Sequence, residues 1–155
     1  MAHRIVIMNG GSIEQIGTPD QVYDAPRTRF VAGFMGRCNF VDVERTEAGR
    51  IAVLPGGIPI EAANEASTSR VVAIRPHNLV LSEHPGHNCL TGRLVKSLYL
   101  GPVTHLTLDV GRFSLLVDAP SEAARLVRVG DRVTVCVEPK NARLLVDADS
   151  SSHVG

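Results

Sequence analysis

Apolar and polar positions along the chain change rhythm twice. Over Arg4–Met8 and Ser12–Ile16, two short β runs flank Asn9-Gly10-Gly11, residues that tolerate positive φ, and this predicts a hairpin. A loop of two or of three residues fits equally, so the cross-strand partners stay open. Ile5, Val6, Ile7 and Met8 are consecutive, which puts apolar side chains on both faces of a ribbon that can cover neither. The rhythm then turns helical. Thr18-Pro19-Asp20-Gln21 supplies an N-cap threonine, a proline at the first helical position and a Gln three residues after the cap. Pro26 restricts Ala25, so this helix ends by Asp24. A second helix is predicted from about Thr28 to Met35, with Phe30, Val31, Phe34 and Met35 as its apolar stripe and Gly36 as its stop.

From about residue 39 the rhythm is that of strands. The candidates are Phe40–Arg45, Arg50–Leu54, Arg70–Ile74, Leu90–Leu98, Val103–Val110, Phe113–Asp118 and Arg132–Glu138. Gly111-Arg112 reads as a two-residue turn with glycine first. It pairs Val110 with Phe113, Leu108 with Leu115 and Leu106 with Val117 on one apolar face. His105 then faces Asp118, and Asp109 faces Ser114, on the other face. Val133, Val135 and Val137 alternate with polar neighbours in the same way. Short strands at this spacing predict a small barrel or sandwich. The predicted divisions are 1–17 hairpin, 18–38 helical connector, 39–146 β domain and 147–155 disordered tail.

Composition sharpens this picture. Of 20 valines, 16 lie between Val41 and Val146, which weights the β reading. Lys+Arg 16 balance Asp+Glu 16, and aromatics make up 4%. Neutral charge and scarce aromatics argue against nucleic acid as a partner. No apolar run reaches the roughly 18 residues of a membrane span, and the N-terminus lacks a signal-peptide core, so a cytoplasmic chain is expected. Cys38, Cys89 and Cys136 are odd in number and widely spaced, so a disulfide framework is not expected; Cys136, in an apolar run, reads as a packed thiol.

Motifs with catalytic chemistry are missing. There is no phosphate loop, no Gly-x-Ser-x-Gly elbow and no His-Glu-x-x-His helix. His84, His87 and Cys89 alone have metal-capable spacing, in one loop with no evident fourth ligand, and a solvated loop is the expectation. His105 opposite Asp118 lacks a nucleophile and reads as a cross-strand ion pair. Arg75-Pro76-His77 closes an apolar run. Its arginine is expected to be held by a carboxylate or carbonyl, with contact to an anion or partner as the functional alternative.

Several local patterns, in order, resemble the C-terminal part of bacterial ABC importer ATPase subunits. Ala2 to Pro19 is similar to the end of their nucleotide-binding domain, with His3 where Asp commonly stands. Pro26 to Gly36, then Asn39-Phe40, resembles the helical connector that follows. Ile74-Arg75-Pro76, Tyr99-Leu100-Gly101, Gly130-Asp131-Arg132-Val133 and Ala142-Arg143-Leu144-Leu145 resemble the transport-associated OB-like (TOBE) domain. His77 stands where an acidic residue often follows Arg-Pro. The resemblance implies an OB-like β-barrel preceded by a hairpin and two short helices, acting as a non-catalytic regulatory and dimerising region. It implies no cofactor in this chain; ATP and magnesium belong to the parent subunit, whose phosphate loop, signature motif and switch histidine lie upstream. On this reading the chain is a shortened subunit lacking roughly 200 residues of motor domain. Expected partners are a second copy and, in the parent, permease subunits at the inner face of the membrane. Ile5, Ile7, Phe30 and Phe34 are the expected self-association residues. The alternative is a stand-alone OB-like module binding a small ligand or oxyanion near Arg75, His77, Tyr99 and Gly101.

Overall fold

The computed structural model describes residues 3–47, 49–65 and 69–145. β1 (Ile5–Asn9) and β2 (Ser12–Gly17) form the first hairpin around Gly10-Gly11, with Asn9 opposite Ser12 and a register shift between Ile7 and Met8. α1 (Pro19–Asp24) starts on a complete capping box at Thr18 and Gln21. α2 (Arg29–Met35) is capped by the Thr28 hydroxyl, which accepts from Val31 N–H. Ile7, Val22 and Val31 make a small core between hairpin and helices, with Ile5 and Met35 packed on it.

The remaining chain is β-rich. β3 (Asn39–Asp42) is followed by a meander of β4 (Arg45–Glu47), β5 (Ile51–Leu54) and β6 (Ile58–Glu61). β7 (Val71–Ile74) lies between β3 and β13 (Ala142–Leu145). The largest sheet has the order β11-β10-β9-β12-β8, from β8 (Val80–Ser82), β9 (Cys89–Leu100), β10 (Val103–Asp109), β11 (Ser114–Pro120) and β12 (Arg132–Cys136). A short α3 (Ser121–Ala124) follows β11. One core runs through all of these sheets and includes Leu54, Ile60, Ile74, Leu94, Leu106, Leu115, Val135 and Leu144. No helix among the described residues is long and apolar enough to cross a membrane.

The β10–β11 register matches the sequence expectation pair for pair: Leu106 with Val117, Leu108 with Leu115, His105 with Asp118, Asp109 with Ser114. The short strands β4, β6, β8 and β13 are absent from the expected set. The tail expected to be disordered falls outside the described residues.

The fold is OB-like, but hydrogen bonding among the described residues divides its strands into separate sheets instead of one closed ring. Three asparagines bridge the gaps. Asn39 gives its side-chain N–H to Leu116 O at 2.8 Å and accepts from Leu116 N–H at 2.7 Å. Asn64 does the same with Leu144, and Asn88 with Glu61. A side-chain amide thus copies the donor and acceptor of a neighbouring strand, satisfying backbone groups that the ladders leave open.

A second regularity lies in β7–β8 and β12–β13. Each unit is a strand, a 3₁₀ turn opened by proline and closed by asparagine (Pro76–Asn78, Pro139–Asn141), then another strand. The units exchange strands with one register. Val72 faces Leu144 and Ala73 faces Arg143, while Val135 faces Leu81 and Cys136 faces Val80. This is an approximate two-fold relation, and it brings both turns to one side of the core.

The cysteine expectation is corrected. Cys89 and Cys136 lie directly opposite on β9 and β12, with Cα atoms 4.0 Å apart, and are disulfide-bonded. Cysteines 47 positions apart in sequence gave no local sign of this; strand pairing alone makes them neighbours. Cys38 is the free thiol.

Candidate functional site

Arg75 leaves β7 just before the first 3₁₀ turn, at the junction with the two N-terminal helices. It is 6% exposed. Its Nη1 donates to Ala32 O at 2.8 Å, Arg37 O at 3.1 Å and Gly36 O at 3.2 Å, and its Nη2 donates to Tyr23 O at 3.1 Å. The guanidinium also lies over the Tyr23 ring, 4.2 Å from its centroid, and that ring stacks on His77. Carbonyls near the C-terminal ends of α1 and α2 lack helical partners, and a planar cation with several donors satisfies both sets together. No ion pair among the described residues reaches Arg75. Carbonyl dipoles therefore hold its charge, as one of the two structural options in the sequence allows.

Arg37 makes a second tie between connector and β domain. Its Nη1 contacts Asp118 Oδ1 and lies 3.0 Å from His105 Nε2, while His105 and Asp118 approach to 3.5 Å across β10 and β11. The expected pair is present, with an unforeseen third member.

A cavity of about 50 Å³ opens beside Arg75, where the end of α1 meets the two 3₁₀ turns. Cys38 lines it; burial pushes this thiol above the ordinary value near 9, overriding the opposing pull of the Arg75 charge. Asn78, Asn141, Lys140 and Arg143 also line it. None of these four was singled out as a contact residue from the sequence. The available signal was the repeated Arg/Glu-Pro-x-Asn turn.

The other expected site residues scatter. Tyr99 is 63% exposed, and Gly101 takes φ +84 in the β9–β10 turn; neither lines the cavity. Of the weak metal candidates His84, His87 and Cys89, Cys89 is bonded to Cys136 and His87 Nε2 sits 3.3 Å from Glu61 Oε1. No metal-holding cluster of three such residues occurs among the described residues. Ile7 is buried in the chain's own small core and Ile5 is half-buried, so neither lies on a free face. The hairpin's open face instead carries the cross-strand neighbours Val6 with Ile16 and Met8 with Ile13. Phe30 and Phe34 stack on each other and remain exposed.

A mainly β, OB-like domain carrying a helical appendage is the class this fold defines. Residues 72–145 match the family model described as TOBE domain. The chain is 37% identical over 146 residues to the sulfate/thiosulfate import ATP-binding protein CysA 1 of Rhizobium meliloti (strain 1021), covering 93% of this chain and 41% of that protein. It is 30% identical over 147 residues to the spermidine/putrescine import ATP-binding protein PotA of Borreliella afzelii (strain PKo), covering 94% and 41%. The chain thus spans about two-fifths of the length of these relatives. Among solved structures, the cytoplasmic molybdate-binding protein ModG, with molybdate bound, superposes with a TM-score of 0.56 at 18% identity, over 71% of this chain and 95% of that one. At that identity the likeness concerns the fold alone.

Proposed function

We propose that this chain is the regulatory and dimerising part of an ABC importer's ATP-binding subunit, non-catalytic in itself. ATP and magnesium would act in the nucleotide-binding part, and permease subunits would be met by the assembled transporter at the inner face of the membrane. The observation that carries this reading is the Arg75 latch. One buried guanidinium holds carbonyls from both connector helices, so displacement of the connector must disturb the β domain. A module whose task is to pass a signal between two bodies needs such a rigid joint.

Self-association is proposed at the β9–β10 end. β9 pairs with β12 only over Cys89–Arg93, which leaves the edge of Val95–Leu100 open among the described residues. Val95, Leu98, Tyr99, Leu100 and Val103 are all exposed there. An apolar open edge favours pairing with a second copy. The importer role is tested by joining this chain to the ATP-binding part of the Rhizobium meliloti sulfate/thiosulfate relative. The chimera should transport, and Arg75→Met should lower transport more than ATP turnover; equal transport by both chimeras overturns the coupling role. In sedimentation, the chain should be dimeric at micromolar concentration and monomeric as Leu98→Glu/Leu100→Glu. A monomeric parent chain refutes the dimer.

A further inference from the structure

Arg37 is tied to the β domain twice. Its carbonyl accepts from Arg75 Nη1 at 3.1 Å, and its own Nη1 reaches His105 on β10 and Asp118 on β11. That nitrogen carries two N–H groups and cannot accept, so it gives one to Asp118 Oδ1 and the other to His105 Nε2, 3.0 Å away. The direction of this bond fixes the state of the ring. Nε2 accepts, so the proton sits on Nδ1 and the imidazole is neutral. A protonated ring donates from both nitrogens. It would meet Arg37 donor to donor and cation to cation, with Asp118 Oδ1, 3.5 Å away, as the acceptor within reach.

The other elements packed on β10 and β11 bring few charges to this point. On β9, Leu98 stands opposite His105, and the exposed Lys96 lies two positions along, opposite Thr107. α3 meets β10 through the Ser121 hydroxyl at Thr104, on the opposite face, with Glu122 exposed. The first 3₁₀ turn packs on β11, but its His77 is stacked on Tyr23. We infer that His105 is a pH-sensitive release for the connector. Neutral, it accepts from Arg37 and helps hold the connector on β10 and β11; protonated, it takes Asp118 and displaces Arg37. The arginine yields because its side chain is 41% exposed and follows α2, whereas His105 and Asp118 are directly paired on two strands. Histidine is the side chain that changes charge between about pH 5 and 8, where carboxylates and guanidinium groups keep theirs. The tie is therefore complete at the upper end of that window and weakens as the pH falls. Since the Arg37 carbonyl also accepts from Arg75, moving Arg37 disturbs the latch as well. The release belongs to the joint itself and needs no transporter.

Nitrogen NMR of the imidazole and amide exchange of the 155-residue chain test this from about pH 5 to about pH 8, with exchange rates divided by those of the unfolded chain at each pH. At the upper end, His105 should carry its proton on Nδ1. Toward the lower end, protection of the α2 and Arg37–Cys38 amides should fall about threefold, the scale of an exposed ion pair, while β10 amides keep theirs. His105→Gln offers Arg37 an acceptor that never charges, and its profile should be flat at the parent's upper level. Arg37→Gln should also be flat, at the level the parent reaches in acid. His77→Gln should keep the parent's profile. A proton on Nε2 at the upper end, a parent profile without pH dependence, or the same dependence in His105→Gln as in the parent would overturn the release, as would a profile flattened by His77→Gln.

Discussion

The β domain and the N-terminal hairpin with its helices are held in different ways. In the β domain one continuous apolar core passes through every sheet, and fully buried Leu54, Ile60, Leu94, Leu106 and Leu115 sit within it. In the N-terminal region three buried residues, Ile7, Val22 and Val31, make up the packed center, and the face bearing Val6, Met8, Ile13 and Ile16 is open. Apolar burial sustains the first region. The second is fastened through polar ties, chiefly Arg75 on four carbonyls and Arg37 on Asp118. A region with little core of its own takes its position from such ties, which lets it be moved without unfolding its neighbour.

The largest effect should come from the core. Leu106→Ala should cost about 3–5 kcal/mol in denaturant unfolding and lower the stability of the whole β domain. Val22→Ala should cost about half as much or less and leave the β domain unchanged, since the cluster around it is small. Equal, global losses from both would erase the contrast between the regions.

Reduction of Cys89–Cys136 comes next. The bond closes a 47-residue separation, and releasing it should cost about 2–4 kcal/mol, seen as a lower melting temperature with dithiothreitol. The loss should fall on β9 and β12. An unchanged melting temperature in Cys136→Ala would remove the bond from the list of what sustains the β domain.

The smallest global effect, and the sharpest local one, belongs to Arg75→Met. Hydrogen bonds to a charged group are worth about 1.5–3 kcal/mol, and the loss should appear as faster amide exchange in α1 and α2. Core strands such as β10 should keep their protection. Loss of protection throughout would show that the latch sustains the β domain as well as the connector.

Legibility followed the range of each interaction. The capping box at Thr18 and the β10–β11 register were readable because turn, cap and alternation act within a few residues. The Cys89–Cys136 bond was hidden because its two cysteines lie on different strands, 47 positions apart in sequence. Arg75 was conspicuous in the sequence, yet its carbonyl partners lie some forty residues away or more, and no local pattern marks them. The Asn39, Asn64 and Asn88 clamps were hidden for the same reason, since an isolated asparagine looks the same in a loop or across a sheet gap.

By itself the sequence determined the β-rich class, the helix starts and the hairpins, because backbone preference and burial pattern are properties of neighbouring residues. Tertiary structure alone decided which sheets the asparagines join, which cysteines bond and where the cations gather. Those outcomes depend on contacts between segments far apart in the chain, and they exist only once strand pairing has brought the segments together.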